Sequence, residues 1–303
     1  LAFTFATTLT ATHGVEEWLL QYPAMQKLTR KHVWLQPFLE ATSYKLIGEV
    51  RWGVKARVLF GAATSMLDLL TDIYVTYMFS ADSTKQGYFQ ASLASLAVSM
   101  GIQLLFVWSN NKKRGLKQVL REWFPVLIGF KPALDAFRVA TGVKQEVGHA
   151  VDPMYEMTVM KGIEMFAEAI PGVIIQLMAI ATTDQEVEIP NSAWSSLAMS
   201  VLSTGFISAT ISYDWDTNPE KRQQTPGFYG YVPALASKRT TVFASMVVVS
   251  AGLLLIRCMT IVLFGLKGKG WAFGYVCADL GLYLLVKVLR GDFWYWIPAG
   301  GNA

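Results

Sequence analysis

Apolar runs of about twenty residues recur along the chain, each long enough to cross a hydrocarbon core of about 30 Å as a helix. Five or six qualify. The first runs from Arg57 to Phe79 and the second from Tyr88 to Trp108. The third, Met154 to Ala181, is long and unusually polar. The fourth is Ser192 to Tyr213, and the fifth, Val242 to Phe264, is the clearest. The sixth, Trp271 to Leu289, is shorter and carries Asp279 near its centre. The pattern predicts an all-α polytopic helical membrane bundle of about six full spans, with short re-entrant or interfacial helices besides.

Two apolar stretches are too short to span. Trp123 to Phe130, WFPVLIGF, is bracketed by Pro125 and Pro132, with Gly129 between. A helix of that length covers roughly 12 Å, which suits a re-entrant or interfacial segment. Trp294 to Pro298 has the aromatic and proline content of an interface anchor. Residues 1–56 mix Trp18, Trp34 and Tyr44 with Lys27, Arg30, Lys31 and Lys45. They read as amphipathic helices on the membrane surface. A first span or pair of half-spans, with Leu1 to Leu9 as its apolar part, is the alternative. The expected division is therefore an N-terminal segment 1–56 and a transmembrane domain 57–303. No secretory signal pattern is visible at the start. A chain opening on Leu1 is expected to be processed or to lack its first residues.

Composition sharpens this picture. Hydrophobic residues make up 53% of the chain and charged ones 16%, with a mean hydropathy of +0.35. Soluble domains are about 45–50% apolar and about 25% charged. A soluble enzyme, a disordered tail and a nucleic-acid binder are excluded. Cys258 and Cys277 lie inside apolar runs and read as reduced thiols. His13, His32 and His149 show no metal-ligand spacing. The net charge of +4 matters less than its distribution. Lys45, Arg51, Lys55 and Arg57 precede the first span; Lys112, Lys113, Arg114, Lys117 and Arg121 follow the second. Lys221, Arg222, Lys238 and Arg239 lie between the fourth and fifth. Alternate loops are poor in bases, TTDQEVEIPN (Thr182 to Asn191) most of all. The positive-inside rule puts the N-terminus and the long basic loops in the cytoplasm.

The candidate chemistry lies within the spans. Asp68 and Asp72 fall in the first, Lys161, Glu164 and Glu168 in the third, Arg257 in the fifth and Asp279 in the sixth. Each charge at the bilayer centre costs about 2.5–3.5 kcal/mol on insertion scales, so these side chains must face protein or water. Asp68 and Asp72 are i, i+4; Lys161, Glu164 and Glu168 are i, i+3, i+7, and Gln176 extends that face. Depth along the spans makes an Asp72–Arg257 pair and a Lys161–Glu164 pair reasonable. The sum is a ladder of polar groups across the bilayer. Such charges could also simply join helices, but polar contacts between helices average only about 0.6 kcal/mol. Five acids against two or three bases favour a path over glue.

Other features read as structure. Gly205, Ala251, Gly252 and the small residues of Ala91 to Gly101 suit close helix packing. Gly265 to Gly270, GLKGKG, lacks the spacing of a phosphate loop. GxSxG, HExxH and paired CxxC motifs do not occur. No catalytic, cofactor or metal site is expected, and the chain does not read as an enzyme.

LDLLTDIYVTYMF (Leu67 to Phe79) resembles the acidic first helices of the XK-related proteins, the family containing apoptotic phospholipid scramblases. IEMFAEAIPGVIIQLMAI (Ile163 to Ile180) is similar to that family's glutamate-rich helix, with Glu168 to Gly172 on its E-T-x-P-Q core. Gly172 stands in place of the glutamine, and Gln176 follows one turn later. GFKPALDAFR (Gly129 to Arg138) resembles the segment beside the first re-entrant half-helix. WSSLAMSVLSTGFISATISYD (Trp194 to Asp214) and LLIRCMTIVLF (Leu254 to Phe264) resemble later spans. The order matches over roughly residues 60–290. The resemblance implies a scramblase-type helical fold and passive phospholipid translocation, with membrane lipids as partners. It also admits a single-span or complex-subunit protein partner. A plasma membrane is the expected location, an organellar one the alternative. Two other readings stay open: an accessory membrane subunit, and an ion or solute channel.

Overall fold

The computed structural model describes residues 11–49, 52–141, 153–184, 188–216, 232 and 236–291. Leu1 to Leu9, His149, Lys221, Arg222 and Trp294 to Pro298 lie outside the described residues. Every regular element among those described is helical. Three short helices, α1 (Ala11–Gln21), α2 (Pro23–Lys31) and α3 (Leu35–Glu49), precede the long α4 (Trp52–Ala81) and α5 (Gln86–Asn111). Two further short helices follow, α6 (Leu116–Leu127) and α7 (Lys131–Thr141). The third span is built of α8 (Pro153–Glu164), a π-helical turn (Met165–Ala169) and α9 (Ile170–Ala181). The last three are α10 (Asn191–Asp216), α11 (Ala236–Lys267) and α12 (Lys269–Arg290). Six helical stretches are long and apolar enough to cross a membrane, and they are the six read from the sequence. The protein is an all-α integral membrane bundle.

The π turn has a local cause. Pro171 has no N–H to give the carbonyl of Ala167, and its ring crowds that carbonyl. The chain widens by one residue, so that Ile170 N–H bonds Met165 O. The freed Ala167 carbonyl accepts the Ser95 hydroxyl of α5 at 2.7 Å. Glu168 sits on this turn, where π turns inside α-helices frequently mark functional sites.

Helix α4 is central, packing on α5, α7 and α10; α10 packs on α9 and α11. In lipid, close packing rather than water exclusion holds helices together, so small residues matter at the crossings. Gly205 is such a residue: a Cβ there would lie 2.7 Å from Ala251 Cβ and 2.9 Å from its backbone nitrogen. Val173, Leu177, Leu197, Val201, Cys258 and Val262 fill the same α9–α10–α11 seam. Gly252, grouped with Gly205 by composition, instead faces open space, as does Gly101. Their place in small-residue runs does not make them packing positions.

The short WFPVLIGF segment forms the last residues of α6 and, at Ile128 to Phe130, the turn of the α6–α7 hairpin. Gly129 adopts φ 69°. Its N–H bonds Val126 O at 3.0 Å, and Phe130 N–H reaches back to Pro125 O at 2.8 Å. This pair of bonds closes a helix with a left-handed glycine. A Cβ at Gly129 would fall 2.2 Å from Leu69 Cδ2 and would be strained at this φ, so the turn against α4 favours glycine. Leu69 lies well inside the first span, so the hairpin tip reaches into the bundle without crossing it.

Helices α1 to α3 hold 11, 9 and 15 residues, each too short to cross. Val15 and Leu19 are buried in a small cluster flanked by Trp18, Met25 and Leu39. Glu17 is fully buried and accepts from Arg239 at 2.6 Å, which ties α1 to the start of α11. Arg239, expected as a topological loop charge, is instead buried in this ion pair.

Candidate functional site

The interior acids come together between α4, the third span and α10. Asp68 and Asp72 are one turn apart on α4, and both are buried. Ser200 of α10, fully buried, donates to Asp68 Oδ1 at 2.6 Å and lies 3.3 Å from Asp72 Oδ1. Gln176 of α9 donates its amide to Asp72 Oδ1 at 3.0 Å. Glu164 is buried, and Glu168 is half-buried on the π turn. A hydroxyl and an amide hold Asp68 and Asp72, while buried Lys161 lies on the same stretch of the third span as Glu164.

Span four supplies more of this lining than its hydropathy suggested. Ser196, Ser200, Ser203 and Thr204 recur at helical spacing, and all are buried. The signal was the polar stripe itself, legible at i, i+4 and i+7. Lys161 is buried at the α8–α4 crossing, its Nζ 3.1 Å from where a Cβ of Gly61 would sit. A side chain at Gly61 would press on this amine and on the Phe206 ring, 3.0 Å away.

Three cavities line up through this region. One of about 160 Å³ includes Gly129, Lys131, Ser65, Gln103, Glu164 and Glu168 in its wall. A second, of about 10 Å³, lies among Asp72, Thr76, Ser92, Ser95, Glu168 and Gln176. A third, of about 230 Å³, reaches from Gln176 and Val75 to Asp82, Lys85 and Glu188. Glu168 and Leu96 are shared by the first two; Gln176 and Val75 are shared by the last two. The cavities therefore adjoin along the bundle, pinched at Asp72, Glu168 and Gln176.

Two members of the expected ladder are elsewhere. Arg257 pairs with Asp279 at 3.6 Å, their side chains 65% and 43% exposed. The pair lies on the outer side of α11 and α12. The expected Asp72–Arg257 bond is not made: Asp72 is turned to Gln176 and Ser200, and Arg257 looks away from the acids. Helix rotation places the two groups on different faces. Asp279 likewise does not join the interior group.

A second charged cluster closes one end of the bundle. Lys131 lies 2.7 Å from Glu156, 2.8 Å from Asp135 and 3.4 Å from Glu122. Arg138 grips Glu122 with both guanidinium nitrogens, at 2.8 and 2.6 Å. Asn110 of α5 donates to Glu156 at 3.0 Å. Burial works against the Glu122 carboxylate, but the Arg138 bonds and the charges of Lys131 and Arg138 outweigh it and hold its carboxyl at about 2. Asp135 goes the other way: burial pushes it to about 6, and the Lys131 charge only partly offsets this. Its Oδ2 is buried without a hydrogen-bond partner. The signal for this cluster was Lys131, Asp135 and Arg138 at i, i+4, i+7 in KPALDAFR.

Among the described residues, no group of three or more His, Cys, Asp and Glu is placed to hold a metal. Compared with known proteins, the chain matches no family model, no curated protein and no solved structure.

Proposed function

We propose that the chain is a passive phospholipid translocator of the XK-related kind, in which headgroups follow the interior acids while acyl chains stay in lipid. The observation that carries this reading is the row of adjoining cavities bordered by Glu164, Glu168, Asp72 and Gln176. A headgroup cannot cross hydrocarbon without polar partners. Carboxylates along the row would meet its amine or choline. Arg257 lies off the row and cannot serve the phosphate there. Bases line it at the two ends instead, Lys131 at one and Lys85 at the other. The pinch of about 10 Å³ admits about one water, so passage requires α5 to part from the π turn.

The test is exchange in sealed liposomes carrying fluorescent lipid in both leaflets. Dithionite should bleach well beyond half of the signal. Alanine at both Asp68 and Glu168 should slow the exchange while the protein stays folded. Unchanged exchange in that variant removes these residues from the mechanism; a plateau near half with the parent chain removes translocation by the chain alone.

A specific observation favours the second reading, an accessory subunit. The Arg257–Asp279 pair is exposed within two spanning helices, and α12 packs chiefly on α11. Charges facing hydrocarbon are costly. A neighbouring protein helix would shield them, and stable co-purification of such a partner would support this reading.

A further inference from the structure

We infer that the central pinch is a binding site for a dehydrated monovalent metal cation of about the size of sodium. Gln176 carries the argument. It is 5% exposed, and its Nε2 donates to Asp72 Oδ1 at 3.0 Å. That bond fixes the orientation of the amide, and Oε1 is left buried without a hydrogen-bond partner. A buried acceptor with nothing to accept from costs about 1–3 kcal/mol, so its ligand is missing from the side chains around it. Gln176 borders the small cavity, and so do both carboxyl groups of Asp72 and Glu168. Asp72 Oδ2 is directed toward Gly172, 3.5 Å from where a Cβ there would be. Ser95 spends its hydroxyl proton on Ala167 O, which leaves its lone pairs free to accept. Thr76 and Ser92 add two more hydroxyl oxygens to the wall.

The chemistry of the wall selects the ligand. All its polar atoms near the cavity are oxygens or an amide already committed, which suits a hard cation. About 10 Å³ holds one water-sized body, so the ion enters without its hydration shell. Magnesium keeps several waters and does not fit. An ethanolamine or choline group is far larger than one water. The absence of a third ligating carboxyl among the described residues leaves the charge low for calcium. Asp68, Asp72, Glu164 and Glu168 outnumber the buried Lys161, and a monovalent ion offsets part of that excess, which a water molecule would not. The ion joins α4, α5 and the kinked third span at the narrowest point. This holds whether or not lipid crosses the bundle.

The test is thermal unfolding of the purified full chain in detergent at fixed ionic strength, with choline chloride replaced stepwise by sodium chloride. The melting temperature should rise saturably with sodium, as binding to the folded state requires. Gln176→Leu and Thr76→Val should each raise the half-saturating sodium concentration at least tenfold; two variants are used because one could fail to fold. Binding of radioactive sodium should reach one ion per chain. Equal melting in sodium, potassium and choline overturns the proposal and leaves water in the cavity. Stabilisation by calcium chloride alone overturns the monovalent assignment. A sodium response that both folded variants retain places the ion elsewhere.

Discussion

The two buried groups of charges in this bundle are built on opposite principles. At the hairpin end, Glu122, Asp135 and Glu156 surround Lys131 and Arg138 within ion-pair distance. In the interior, Asp68 and Asp72 are held by a serine and a glutamine. The end cluster is nearly charge-matched and locks α6 and α7 onto α5 and α8. The interior group is acid-rich, with Asp68, Asp72, Glu164 and Glu168 against the buried Lys161, and is set against cavities. Burying a charge is worthwhile for structure only when its partner comes with it. The end cluster meets that condition, so its role is structural. The interior group meets it only in part, since Lys161 cannot match four acids, and that excess points to function.

The largest effect that separates the two should come from Lys131→Met. It leaves Glu122, Asp135 and Glu156 facing one another around a lost cation, and breaking a buried pair costs about 3–5 kcal/mol. Thermal unfolding in detergent should show a severe loss of stability. A loss under about 1 kcal/mol would mean the end cluster is not what anchors the hairpin. Next comes pH. Glu122 has its folded value, about 2, below its ordinary 4.5, so its contribution is present above pH 4.5 and is lost as pH falls toward 2. Asp135 has its folded value, about 6, above its ordinary 3.8, so it costs stability as pH rises through 4 to 6. Each amounts to about 3 kcal/mol at its limit. Glu122→Gln should remove the acid-side loss, and Asp135→Asn should remove the decline between about pH 4 and 6. The difference between variant and parent melting curves, read across pH, checks both signs.

The spans were legible because a bilayer imposes a length on every apolar helix, and the six runs became six helices with ends displaced by a few residues. The α6–α7 hairpin was legible for a related reason: eight apolar residues with Gly129 and two prolines cannot span and must turn. Helix rotation was less accessible. Spacing put Asp68 with Asp72, and Glu164 with Glu168, on common faces, but it did not tell which face α11 turns inward. Arg257 was therefore placed by depth on Asp72 when it belongs to Asp279. Ser200 was missed because a serine in an apolar run changes hydropathy little, although its spacing with Ser196 and Thr204 marked a face. The π turn could be anticipated only from Pro171 in mid-span, and its consequence, a carbonyl handed to Ser95, depends on which helix lies alongside.

A moderate effect should follow Ser200→Ala. It deprives Asp68 of its 2.6 Å donor and weakens the tie to Asp72. Losing a donor to a buried acceptor costs about 1–3 kcal/mol, so the loss should be well below that of Lys131→Met. If the two variants melt alike, the interior acids are as much a structural lock as the end cluster, and the distinction between the regions fails.

The smallest effect should come from the pair that belongs to neither region. Arg257 and Asp279 are 3.6 Å apart on two spanning helices, where polar contacts between helices average about 0.6 kcal/mol. Replacing both with leucine should shift melting of the isolated chain by less than 1 kcal/mol and leave lipid exchange in liposomes unchanged. The two readings of function then diverge. If the pair is shielded by a neighbouring helix in the native membrane, the double variant should lose that partner on purification while behaving normally alone. If instead lipid exchange falls with the double variant, Arg257 acts on headgroups from the outer face, and the path cannot be confined to the interior cavities. Two leucines on one exposed face thus test whether the bundle has one polar route or a second one along α11 and α12.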